Sequence, residues 1–168
     1  MLIWALLVFG ILTRFISHAP NFTAVTAIAL FGGVYLNRKY AILLPLVLMM
    51  ISDVFIGFHD TIFFTWGSFV LIAFIGLWVR EHKRASTILA SSIVSAILFF
   101  IITNFGAWLS VLYPHTWNGF ITCYTLAIPF FRNTLLSSVI YSTVLFGTYE
   151  YIAFRVKGTR FARALLTI

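Results

Sequence analysis

The chain has 168 residues, of which 62% are hydrophobic, 18% aromatic and only 9% charged. A soluble domain of this size carries about a quarter charged residues, so this chain cannot cover a water-facing surface. The composition points to one integral membrane domain over residues 1–168 and excludes a soluble enzyme or binding module. The net charge of +7 sits in short loops between apolar runs, which is a topology signal. No soluble basic face exists to hold phosphates, so no nucleic-acid partner is expected.

Six apolar segments run over residues 1–17, 22–36, 40–58, 61–79, 85–112 and 128–154. Barrel strands alternate polar and apolar residues and these segments do not, so the fold class expected is all-α, a six-helix transmembrane bundle. The third and fourth segments match the ~20 helical residues that span the hydrocarbon core, the fifth and sixth exceed it, and the first two are short. Arg38 and Lys39 follow the second segment; Arg80, Lys83 and Arg84 follow the fourth; Arg155, Lys157, Arg160 and Arg163 follow the sixth. These places share one side only if two helices separate each from the next. The positive-inside rule then puts that side, and both termini, in the cytoplasm of a multi-pass inner-membrane protein.

In chain order, the first segment ends near Ser17-His18-Ala19, which resembles a small-x-small cleavage site. No basic region precedes the apolar run and Pro20 would follow the cut, so a retained helix is favoured over a signal peptide. His18 to Asn21 reads as a tight outer turn, with Asn21 or Thr23 capping helix two. Helix two carries Ala29 and Gly33 four residues apart, a pair that lets backbones approach closely, and helix five carries Ser91 and Ser95 in the same way. Packing inside the bundle is the favoured use of both pairs; the alternative is a docking face for another membrane subunit. Cys123 is the one cysteine, read as a small buried apolar residue.

The polar groups are asymmetric. Arg14, His18, Asn21, Asp53, His59, Asp60, Asn104, Trp108, His115, Trp117, Asn118, Arg132 and Asn133 all fall toward the outer side. Asp53, late in helix three, needs a partner at its depth, and Arg14 and Arg132 are the two candidates. Whichever arginine stays free is placed to hold an anionic or carbonyl group of a ligand. Asn104 and Trp108 are four apart on one face of helix five and suit a planar heteroaromatic ligand, although interfacial aromatics also anchor bundles. Asn133, Ser137 and Tyr141 form a similar stripe on helix six. The stretch 103–133, rich in aromatic and amide groups, reads as the lid and one wall of that ligand site. Glu150 is expected to pair with Arg155 or Lys157. The histidines come from separate loops without HxxxH or HExxH spacing, so no metal site is expected, and no cofactor is implied. There is no GxSxG, Walker loop or GxGxxG, so the chain reads as a non-enzyme without a nucleotide site.

Four stretches carry a resemblance: Ala19-Pro20-Asn21-Phe22-Thr23 through Phe31-Gly32-Gly33, Ile51-Ser52-Asp53 through Gly57-Phe58-His59, Thr103-Asn104-Phe105-Gly106-Ala107-Trp108, and Pro129-Phe130-Phe131-Arg132-Asn133-Thr134. Over nearly the whole chain they resemble an uncharacterised bacterial family, a domain of unknown function described as transport proteins. That family is similar to the S components of energy-coupling-factor (ECF) vitamin transporters. The resemblance implies a vitamin-like solute held under outer loops, and an ATPase module with a membrane-embedded T subunit as partner. It points to Asn21, Asp53, Asn104, Trp108, Arg132 and Asn133 as motif positions. Helix one reads Trp4-Ala5 through Phe9-Gly10 where many S components carry Ala-xxx-Ala, which leaves a solitary carrier open. The expected function is therefore uptake of a small vitamin-like solute from the outer face, with Arg14, Asn21, Asp53, Asn104, Trp108, Arg132 and Asn133 at the site. The alternative is a membrane scaffold or assembly subunit that transports nothing.

Overall fold

A computed structural model describes residues 2–16 and 19–157. The described chain forms six α-helices: α1 Leu2–Phe15, α2 Val25–Tyr35, α3 Arg38–Ile56, α4 Ile62–Glu81, α5 Ala85–Leu109 and α6 Trp117–Val156. Three of them, α3, α4 and α5, are long and apolar enough to cross a membrane. With 14 and 11 residues, α1 and α2 measure only about 21 and 17 Å, short of the ~30 Å hydrocarbon core.

The shortest helix is the centre of the bundle. Val25 to Val34 of α2 are all buried, and α2 packs against each of the other five helices. A helix that is apolar all round has no solvent face to present, and this one is enclosed. Its closest crossing is with α4. A Cβ on Gly33 would lie 2.6 Å from the Gly76 Cα, and one on Gly76 would lie 2.8 Å from the Gly33 Cα. The two backbones touch, and only glycine at both positions permits it. The Ala29–Gly33 pair therefore serves packing inside the bundle. Ser91, Ser92 and Ser95 are likewise buried, and Ser138 of α6 donates to the Ser92 carbonyl of α5 at 2.8 Å.

Two local readings need correction. Neither Asn21 nor Thr23 caps α2. Its N-cap residue, Ala24, has no side-chain cap within the turn; instead the Ala24 amide donates to Thr13 Oγ1 of α1 at 3.2 Å. Asn21 occupies the left-handed region, φ 61°, a conformation that asparagine tolerates better than most residues. The sixth helix begins at Trp117, not near 128, and runs through Pro129. Thr116 caps it by accepting from the Gly119 amide at 3.2 Å. The stretch 103–133 is thus mostly helix, and only residues 110–116 connect α5 to α6.

Residues 19–24, 57–61 and 110–116 of the connections lie at one end, the loop end. At the other, the basic end, Arg80 of α4 reaches the last carbonyls of α2, donating to Gly33 O at 2.6 Å, to Val34 O at 3.1 Å and to Leu36 O. Lys83 pairs with Glu150 at 2.6 Å, and Tyr35 donates to the same carboxylate. Glu150 is therefore bound across the bundle, not to Arg155 or Lys157 in its own last turn. Arg160 and Arg163 lie outside the described residues, as does His18.

Candidate solute cavity

A cavity of about 430 Å³ opens at the loop end, within the usual size range of small-molecule sites. All six helices reach it. One face of α5 supplies Phe99, Thr103 and Ala107 with Phe100 and Asn104, and one face of α6 supplies Ala127, Phe130, Phe131 and Thr134. Both sets follow the i, i+3, i+4, i+7 spacing of a single helical face. Arg14 from α1, Thr26 from α2, Met49 from α3 and Thr65 from α4 complete the walls, and Asn21, Thr23, His59 and Thr61 come from the connections.

The lining is half polar and almost entirely uncharged. Six threonines, two asparagines and His59 share it with phenylalanines, and Arg14 is its one Lys, Arg, Asp or Glu side chain. That cation is already balanced. Arg14 Nη2 stands 2.7 Å from Asp53 Oδ1, an ion pair without the alignment of a hydrogen bond to that oxygen. Nη1 donates to Ser52 Oγ at 2.8 Å. The other Asp53 oxygen accepts from Trp66 Nε1 at 2.9 Å. Asp53 is fully buried, while the Arg14 side chain keeps 14% exposure. The carboxylate thus lies behind the arginine and fixes its head at the cavity wall.

Asn104 is the best-placed free acceptor. Its Nδ2 donates to the Phe100 carbonyl at 2.7 Å, which fixes the amide and leaves Oδ1 without a partner among the described residues. The Asn104 carbonyl receives the Cys123 thiol at 3.4 Å, tying α5 to α6 below the cavity wall. His59 and Thr61 bond to each other at 2.9 Å at the mouth.

Of the seven residues picked from the sequence, Arg14, Asn21 and Asn104 line the cavity. Asp53 stands immediately behind it. The other three do not line it. Trp108 sits one turn beyond, its Nε1 donating to the Pro114 carbonyl at 3.2 Å and its ring packed edge-on to His115 and Phe120. Asn133 donates to the Pro20 carbonyl at 2.9 Å, holding α6 to the first connection. Arg132 is exposed on α6. The threonines and Trp66 were not picked out, although Thr61–Thr65 and Phe100–Asn104 show the fourfold spacing of one face. Among the described residues no three His, Cys, Asp or Glu side chains cluster.

Fold and site together define an all-helical protein of six helices, three able by length and composition to cross a membrane, with a cavity at one end. The chain belongs to DUF6580, a family of unknown function, whose model matches residues 1–161. Neither a curated protein nor a solved structure matches it.

Proposed function

We propose that the chain is a multi-pass protein of the bacterial inner membrane that takes up a small vitamin-like solute, in the manner of an S component. In this reading the basic end faces the cytoplasm, with both termini, and the cavity opens outward. The cavity at the loop end is the observation that carries the proposal. A polar, aromatic-walled cavity is expensive inside hydrocarbon surroundings unless something fills it.

The geometry favours an uncharged solute. The Arg14 charge is met by Asp53, and Arg132 stands outside the cavity, so among the described residues no spare Lys or Arg is on hand to neutralise an anion. Hydroxyls, the Asn104 amide and the Phe100, Phe130 and Phe131 rings suit a planar solute with hydrogen-bonding groups on its rim. Arg14 and Asn104 fix its orientation, and Asp53 positions Arg14. The chain carries no nucleotide motif, so energy for the inward step comes from a partner, such as a T subunit with ATPases, or from an ion gradient.

The scaffold reading has its own support. The Arg14–Asp53 pair joins α1 to α3, and the Asn133–Pro20 bond joins α6 to the first connection. Thermal unfolding against a panel of uncharged vitamins and nucleobases separates the two. Uptake predicts that one compound stabilises the wild type and not Asn104→Leu. A scaffold predicts no shift with any of them.

A further inference from the structure

A second cleft, of about 470 Å³, opens at the basic end between the start of α5 and the last turns of α6. Its origin is local. The helices are pinned where Ser138 donates to the Ser92 carbonyl at 2.8 Å. From there toward Ala85 they part, over about 10 Å of α5 axis. The opening is floored by Ile88 and Phe146 and closed at its rim by Lys83, Arg84 and Glu150. Gly147 keeps it clear, since a Cβ there would meet nothing within 4 Å.

Three observations identify the occupant. The floor is apolar and the cleft opens sideways past the exposed Leu89, Thr143 and Gly147, where a hydrocarbon chain enters from the bilayer. The rim is basic. Lys83 is paired with Glu150, but Arg84 has no ion-pair partner among the described residues, and the α5 N-terminus beside it has no side-chain cap. Its first amides point at the rim with the positive end of the helix dipole. Finally, Ser142 lines the cleft, is buried to 2% exposure, and its Oγ has no hydrogen-bond partner among the described residues. Turned about χ1 to the cleft that Ser142 lines, such a hydroxyl finds an acceptor from outside the chain, and an ester carbonyl below a lipid headgroup is one.

We infer that this cleft binds one anionic phospholipid, its phosphate at Arg84 and the α5 N-terminus and an acyl chain between α5 and α6. The site rests on the membrane reading and is separate from the solute cavity. Basic pockets between helices on the cytoplasmic side favour anionic headgroups in this way.

The test reconstitutes the full chain into equimolar phosphatidylglycerol and phosphatidylcholine vesicles, floats them, extracts gently and quantifies the co-purifying lipid by mass spectrometry. The site predicts phosphatidylglycerol enriched about fivefold over the input ratio. Arg84→Gln, which removes the charge that meets the headgroup, and Gly147→Phe, whose Cβ meets nothing within 4 Å and whose ring takes up cleft space, each return the ratio to the input. Both variants unfold at the wild-type temperature, as neither change touches a packed group. Equal retention of the two lipids by the wild type, or enrichment unchanged in both variants, overturns the lipid site while leaving the membrane reading intact. A chain that does not float with the vesicles removes both.

Discussion

Arg14 Nη2 and Asp53 Oδ1 lie 2.7 Å apart, and this contact joins the last turn of α1 to the last turn of α3 directly beside the cavity. Each partner makes the other tolerable. Arg14→Ala leaves a fully buried carboxylate with Trp66 alone and is expected to destabilise the fold by about 3–5 kcal/mol. Replacing both residues with apolar side chains, Arg14→Met with Asp53→Leu, restores most of that stability, because no orphan charge remains. Thermal unfolding of the two singles and the double checks this. A double variant as weak as the singles would contradict it. Trp66→Phe removes the indole bond to the carboxylate together with part of a ring that packs on the core, and costs at least about 1.5–3 kcal/mol.

The α2–α4 crossing makes a second prediction. A methyl group on Gly33 meets the Gly76 backbone, with nothing flexible in the way. Gly33→Ala and Gly76→Ala must therefore push the helices apart, at about 1–3 kcal/mol each. Gly67, also on α4, has open space around its Cβ position, so Gly67→Ala is neutral or stabilising by up to about 1 kcal/mol. Measured in one detergent, the unfolding temperatures of Gly33→Ala and Gly76→Ala should lie below that of the wild type and that of Gly67→Ala at or above it.

Arg80 acts as a cap supplied from another helix. Its guanidinium donates to the carbonyls of Gly33, Val34 and Leu36, groups that the end of α2 leaves unpaired. Arg80→Lys cannot reproduce the fork. Both Arg80→Lys and Arg80→Ala are expected to lower stability, the alanine by about 1–3 kcal/mol. By contrast Lys83 and Glu150 are 41% and 48% exposed. Glu150→Gln should change stability by less than about 1 kcal/mol.

Within the cavity, side-chain position decides which variants affect binding. Asn104→Leu removes the Asn104 amide oxygen, unpaired among the described residues, from the wall and is expected to weaken solute affinity about tenfold or more, measured by calorimetry on purified protein. Arg132→Ala and Trp108→Ala lie outside the lining and should leave the affinity within about twofold.

Much of this was legible from the chain itself. The number and order of helices follow from apolar runs separated by basic loops, and the polar loop end follows from where Asp, Asn and His fall. The partner of Asp53 was not legible, since Arg14 and Arg132 both sit at suitable depth. It is decided by rotation about a helix: Arg132 is one residue from Phe131 in the lining, yet about 100° around α6. The start of α6 was obscured by Pro129, whose missing amide reads as a break although the helix continues through it. The partner of Glu150 is not legible in the sequence because Lys83, 67 residues away, is brought to it only by the packing of α4 and α6 around α2. The threonines do not stand out in the sequence, since each, taken alone, is an ordinary helix or turn residue. Their meaning comes from converging on one space from four helices and two connections.

The central claim is that the cavity holds a small uncharged solute. Native mass spectrometry on freshly purified, mildly solubilised protein tests it most directly. The account predicts a stoichiometric small-molecule adduct on the wild type that survives in Arg132→Ala and disappears in a folded Asn104→Leu variant. A bare protein mass, unchanged after incubation with uncharged vitamins and nucleobases, would contradict it and leave the Arg14–Asp53 pair as a purely structural tie.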